Sequence, residues 1–211
     1  MNNLYVHYGC GLSAPDKWLN FDASPSLRIQ KLPLIGKVAK RKMKVIFPEN
    51  VLYGDIVKGL PVEDNSCIGI YCSHILEHLS LEDFRIALKN TYRILKPDGI
   101  FRCLVPDLEV YARKYIQNTA QGNKLASIDF IQETLLGLER RPRGIKNFFI
   151  SFFGNAHHLW MWDSNSLTEE LKSAGFKNIR LCQFNDCSDS MFREVEDPGR
   201  FIHSVAVECT K

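Results

Sequence analysis

Short apolar runs, each closed by turn residues, dominate the first half of the chain. Leu4-Tyr5-Val6-His7-Tyr8 stops at Gly9-Cys10-Gly11, Trp18-Leu19-Asn20-Phe21 stops at Asp22, and Val51-Leu52-Tyr53 runs into Gly54-Asp55. Cys67-Ile68-Gly69-Ile70-Tyr71-Cys72 and Ile100-Phe101-Arg102-Cys103-Leu104-Val105-Pro106 complete a set of five, each of which reads as a buried strand. Between the last two the period changes. Leu81, Phe84, Leu88, Tyr92 and Leu95 recur at helical spacing behind Ser80, a candidate N-cap. Asp83 holds the capping-box position, Leu79 and Phe84 form a hydrophobic staple, and Lys96, Pro97 and Gly99 end the helix. Strand, helix and strand in alternation over 67–106 imply a right-handed βαβ unit and a parallel sheet.

The second half is less regular. Two helical stretches are expected from Leu108 to about Leu138, broken near Gly122, with Leu125, Ile128, Ile131, Leu135 and Leu138 as a packing stripe. Arg140-Arg141-Pro142-Arg143-Gly144 breaks that pattern. The aromatic runs 148–154 and 157–162 follow, outside the expected sheet. They suit a lid over an apolar substrate or a dimer face, with membrane contact ranked third. Ser166-Leu167-Thr168-Glu169 reads as a capping box for a helix ending at Gly175, and Ile179–Phe184 and Phe201–Cys209 read as two closing strands. The basic stretch 28–44 reads as the solvated face of a surface insertion, ahead of an amphipathic helix on anionic lipid or on an acidic substrate.

At 211 residues the chain is long enough to bury a core as one domain. Apolar and charged fractions of 45% and 24% are those of a soluble globular protein, and a net charge of +3 is too small to argue for nucleic acid. Seven cysteines without a C-x-x-C pair fit a reducing compartment and no zinc finger. The amino terminus lacks a signal-peptide pattern and no apolar run reaches the ~18 residues of a membrane span, so a cytoplasmic protein is expected.

The chemistry starts at Gly9 and Gly11, which let the backbone turn sharply and let a ligand lie against it. Asp22 closes the next strand, where an acid in a nucleotide-binding sheet accepts from ribose hydroxyls; its alternative role is a turn acid before Ser24-Pro25. Gly9-x-Gly11-x-x-Ala14 fits the dinucleotide fingerprint loosely, but Asp22 follows too soon for a nicotinamide dehydrogenase and leaves room for one or two helical turns at most. Asp55 is either an acceptor for an exocyclic amine or a turn residue. His74-x-x-Glu77-His78 matches the H-x-x-E-H of a class of zinc peptidases. That motif needs the interior of a helix, whereas here it follows a strand at once, so a zinc hydrolase is a minor alternative and no metal is expected.

Taken together, His7-Tyr8-Gly9-Cys10-Gly11, Asn20-Phe21-Asp22, Gly54-Asp55 before Leu60-Pro61, Ser73-His74-Ile75-Leu76-Glu77-His78-Leu79 and Arg93-Ile94-Leu95-Lys96-Pro97-Asp98-Gly99 resemble the class I S-adenosylmethionine-dependent methyltransferases. Ser173-Ala174-Gly175-Phe176-Lys177 resembles that family's close, and the likeness thins over 108–162. The resemblance implies a Rossmann-like α/β fold: a mostly parallel seven-stranded sheet, helices on both faces and an antiparallel last strand. Residues 1–211 would form one methyltransferase domain, with an insertion at about 108–162 as substrate lid or dimer face.

The resemblance also implies S-adenosyl-L-methionine as cofactor. Tyr8, Gly9, Cys10 and Gly11 would form the turn beside its methionine part, Asp22 would hold the ribose, Asp55 and Ile56 would border the adenine, and Ser73 and His74 would sit near the sulfonium. Two departures stand out: the helix after the glycine turn is much shortened, and Ser13 replaces the third glycine. The expected reaction is O-methylation of a sugar-containing or other small molecule, with His157, His158, Asp107 and His74 as candidates for a general base. Each has a structural alternative, the histidines as packing groups and Asp107 as a helix cap. Arg140, Arg141 and Arg143 suit a phosphate or carboxylate on the acceptor. A homodimer and peripheral lipid contact are the partner expectations beyond the small molecule, and a non-catalytic binding module is the main rival.

Overall fold

In the computed structural model, which describes residues 4–33, 36, 43, 45–139 and 157–211, the five apolar runs become parallel strands. They are β1 (Leu4–Tyr8), β2 (Leu19–Asp22), β3 (Val51–Tyr53), β4 (Cys67–Ser73) and β5 (Leu95–Pro106). With β6 (Lys177–Leu181) and β7 (Ser204–Thr210) they form one sheet in the order β3-β2-β1-β4-β5-β7-β6. β7 runs antiparallel to both of its neighbours. The basic residues Lys37, Lys40, Arg41, Lys42 and Lys44, the three arginines at 140–143 and the aromatic run 148–154 lie outside the described residues.

The helices are α1 (Pro25–Gln30), α2 (Leu81–Ile94), α3 (Leu108–Ala120), α4 (Ala126–Glu133) and α5 (Ser164–Ser173). Ser80 caps α2 as its sequence requires, its hydroxyl accepting from the Asp83 amide at 3.1 Å. α5 starts earlier than the Ser166 box suggests. Asp163 is its N-cap and Ser166 answers from the third helical position, because a carboxylate accepts the free amides better than a hydroxyl does. α2 also ends sooner than Lys96, since Leu95 already pairs with Cys67 across the sheet.

Alternating strand residues feed two different layers. Val6, Ile70, Cys72, Phe101, Cys103, Val205 and Val207 face α2 and α5, where Phe84, Leu88, Leu167 and Leu171 complete the main core. Tyr71, Leu104 and Ala206 face the other way, against Trp18, Phe192 and Val195. That second layer comes from the long β6–β7 connection and its short 3-10 turns (Ser190–Glu194, Pro198–Phe201). It compensates for the β1–β2 crossover, where residues 9–18 form turns with no helix at all.

Arg102 anchors this cover. Its side chain is fully buried, pairs with Glu196 and Glu208, and donates to the carbonyls of Asp186 (2.8 Å) and Gln183 (2.7 Å). Each of its three guanidinium nitrogens therefore meets an acceptor, which is the condition for keeping such a charge buried.

The stripe Leu125, Ile128, Ile131, Leu135, Leu138 is not core, contrary to its periodicity. These side chains are 58%, 53%, 41%, 43% and 62% exposed, because α4 packs on α3 rather than on the sheet. No helix among the described residues is long and apolar enough to cross a membrane. Replacing Arg102 by Met should leave Glu196 buried without a counter-charge and Glu208 with Arg180 alone, and lower the unfolding free energy by about 3–5 kcal/mol. Urea denaturation at neutral pH measures it; a loss under about 1 kcal/mol would show that the network contributes little.

Candidate active site

The parallel strands all end at one edge of the sheet, and their connections leave in opposite directions on either side of the β1–β4 pair. Such a switch point opens a crevice outside the carboxyl ends of the strands. Gly9, Gly11, Asp22, Asp55, Ser73, His74 and Asp107 follow directly on β1 to β5 or end them.

Asp22 ties three strand ends together. Its carboxylate accepts from the Gly11 amide at 3.0 Å and the Ser24 amide at 2.8 Å, while its carbonyl accepts from Gly54 at 3.1 Å. The turn role and the ligand role are thus compatible: about four acceptor sites on a carboxylate leave about two beyond these amides. Gly9 and Gly11 both take left-handed φ values, +65° and +56°. They differ in surroundings. A Cβ on Gly9 would lie 2.1 Å from Ile75 Cγ1, whereas one on Gly11 would meet nothing within 4 Å. The space over Gly11 is where a ligand can rest on the backbone.

Three of the other expected cofactor contacts, Tyr8, Cys10 and Ile56, turn their side chains into the core. The side chain of Tyr8 is in the main core with its hydroxyl on Thr91, and that of Cys10 is buried among Leu27, Phe47 and Val51. Ile56 also packs into the main core. Asp55 takes the Val57 amide at 3.0 Å and pairs with Lys58 at 3.1 Å, a turn-forming arrangement. Ser73 Oγ is buried without a partner among the described residues, and its carbonyl accepts from Arg200 at 3.2 Å.

The four candidate bases divide. Asp107 caps α3 through the Glu109 amide at 2.9 Å. His74, at φ +55°, donates Nε2–H to the Arg200 carbonyl at 2.9 Å and turns Nδ1 to Glu77 at 3.4 Å. Burial lowers its pKa, but the Glu77 carboxylate and the Arg200 carbonyl outweigh that and leave it raised. Burial pushes the pKa of His158 down, and its Nε2 faces Glu77. His157 alone of the four lines a cavity of about 660 Å³, with Ile128, Ile131, Leu135, Leu138 and Gln132. Its Nδ1 is buried and unpartnered among the described residues, and its carbonyl accepts from His78 Nδ1 at 3.0 Å, which ties this cavity to the end of β4.

His74-x-x-Glu77-His78 straddles the end of β4 and a single 3-10 turn (Leu76–His78), so its two histidines are not one α-helical turn apart. Arg200 and the lining of the cavity escape sequence reasoning. Arg200 comes from a turn 126 residues beyond His74, and the stripe of α4 reads the same whether it meets core or cavity.

A family profile described as a methyltransferase domain matches residues 20–181. Solved structures show the same fold. One is a SAM-dependent methyltransferase from Thermotoga maritima, described as a possible histamine N-methyltransferase, with 20% identity and TM-score 0.52 over 100% of this chain and 83% of its own. Another is a SAM-dependent methyltransferase from Archaeoglobus fulgidus, with 16% identity and TM-score 0.52 over 99% and 86%. The CurJ carbon methyltransferase has 9% identity and TM-score 0.51 over 99% and 48%. No curated protein sequence matches the chain.

The two glycines give a differential prediction. Alanine at either costs about 1–2 kcal/mol through its left-handed φ. Gly9→Ala must also displace Ile75, so its denaturation midpoint should fall further. Gly11→Ala should instead lose affinity for S-adenosylhomocysteine in calorimetry, and unchanged affinity there would refute the cradle.

Proposed function

The chain belongs to the methyltransferase-domain family, whose methyl donor is S-adenosylmethionine, and we propose that it methylates a hydroxyl on a small molecule with an apolar body. The observation that carries the acceptor half of this reading is the cavity lined by Ile128, Ile131, Leu135, Leu138 and His157. Its volume suits a small molecule, and its lining is aliphatic with a few polar groups that would orient a ligand. A bare sugar would leave several hydroxyls unpaired against that wall, so any sugar in the acceptor would sit outside it.

The carboxyl edge fits the cofactor. Open space over Gly11 leaves room for the ligand, and Asp22 keeps acceptor sites for two ribose hydroxyls. S-adenosylmethionine, when bound, supplies a methyl group on a positively charged sulfur. The protein's task is then mainly to hold the acceptor oxygen in line, an effect worth up to about 7–11 kcal/mol in well-oriented intramolecular reactions.

His157 is the base in this reading. His74 is committed to Arg200 and Glu77, His158 faces Glu77 and Asp107 caps a helix, whereas His157 lines the cavity and its imidazole is the group placed to take the hydroxyl proton. In this reading helices α3 and α4 supply the acceptor side, through the cavity that Ile128 and Ile131 line.

Incubation with S-adenosylmethionine and a panel of phenols, long-chain alcohols and methyl hexosides tests the acceptor class. Mass spectrometry should find methyl ethers on the apolar members, and transfer confined to nitrogen, carbon or the hexosides would sink the reading. His157→Ala should lower kcat about 10²–10⁴-fold with S-adenosylhomocysteine affinity unchanged. Asp22→Asn should weaken that affinity about 10–100-fold, the worth of one or two hydrogen bonds to a charged acceptor.

A further inference from the structure

Glu77 stands apart among the described polar residues. Its side chain is 1% exposed, and beyond the ionic contact with His74 Nδ1 at 3.4 Å neither carboxylate oxygen has a hydrogen-bond partner among the described residues. A bare carboxylate in that setting is strongly disfavoured unless a cation meets it. What surrounds it is imidazole. His78 Nε2 lies 3.9 Å from Oε1, His158 Nε2 4.0 Å and His74 Nδ1 3.4 Å.

Tautomers decide what these nitrogens offer. A carbonyl only accepts, so His78 must donate Nδ1–H to the His157 carbonyl, and its Nε2 then presents a lone pair towards Glu77. A histidine whose far N–H is fixed by a backbone carbonyl is the usual outer support of a metal ligand. The main chain fixes the carboxylate side as well. The Glu77 carbonyl accepts from the amides of Leu159 (2.8 Å) and Trp160 (3.1 Å), which pins the segment carrying His158 against the 3-10 turn.

We infer that Glu77, His78 and His158 bind a divalent transition-metal ion of the zinc class. Their ligand atoms lie within 4.8 Å of one another. Ligands about 2.0–2.2 Å from a tetrahedral ion stand about 3.3 Å apart, so small side-chain rotations would close the set. Two imidazoles and one carboxylate suit zinc and its borderline neighbours rather than magnesium or calcium. Three protein ligands leave a fourth position for an oxygen ligand, as in sites where the metal is not merely structural. His74 is a neighbour that positions the carboxylate. His78 and His158 are 18% and 9% exposed in their side chains, so an ion has a way in.

The test uses the full chain, stripped with a chelator and titrated calorimetrically with Zn²⁺. One equivalent should bind, Glu77→Gln and His158→Ala should each weaken it at least tenfold, and His157→Ala should leave it intact because only the main chain of that residue serves the site. Absence of stoichiometric binding, or equal binding by Glu77→Gln and His158→Ala, would overturn the site. Loading wild-type protein with Co²⁺ gives a readout that needs no variant. Visible bands of a four- or five-coordinate nitrogen–oxygen site are expected, and an intense thiolate charge-transfer band would assign the ion to the cysteines instead.

Discussion

The carboxylate of Asp22 is the constraint on which the carboxyl edge depends. A parallel pair such as β1 and β2 is ordinarily joined through a helix, whose packing positions the turn after the first strand. Here residues 9–18 cross over without one. The hydrogen bond from Gly11 to Asp22, with the bond from the Cys10 amide to the Phe21 carbonyl, does the positioning directly. Because the Asp22 carbonyl also receives Gly54, one residue sets the relative height of three strand ends. The same carboxylate that shapes the cradle remains available to a ligand lying in it.

Loss of the first helix has a second consequence on the sheet face it would have covered. Tyr71, Leu104 and Ala206 would be open to water without the excursion between β6 and β7, which brings in Phe192 and Val195. That excursion has little regular structure of its own, so it needs an anchor, and Arg102 supplies one from the middle of β5. The cover then reaches the edge. Arg200 donates to the Ser73 carbonyl and accepts from His74 through its own, so a structural substitute on one face also fixes the backbone where β4 ends.

The opposite rim is built from α3 and α4, which contact each other more than the sheet. Their exposed aliphatic stripe and the cavity beside it make an apolar wall next to His157. From there the polar groups run inward, from His157 through its carbonyl to His78, and from His78 to the buried Glu77. Apolar cavity and ionisable cluster therefore meet along one short piece of chain.

The strands, the βαβ unit, the glycine turn and the acid after β2 were all legible in the sequence, because each is specified by neighbours within a few residues: apolar runs, caps and backbone freedom. The family resemblance rests on those same local motifs. Three things were not legible. The stripe of α4 has the periodicity of a core helix, but periodicity says which side is apolar and not what it faces. The excursion between β6 and β7 reads as loop, and the sheet face it covers becomes apparent once the missing helix leaves that face open. Glu77 and His78 sit together in sequence, yet the third member of the cluster is His158, about eighty residues on. That meeting is set by two main-chain hydrogen bonds to the Glu77 carbonyl, contacts any residue type can make and no side-chain pattern records.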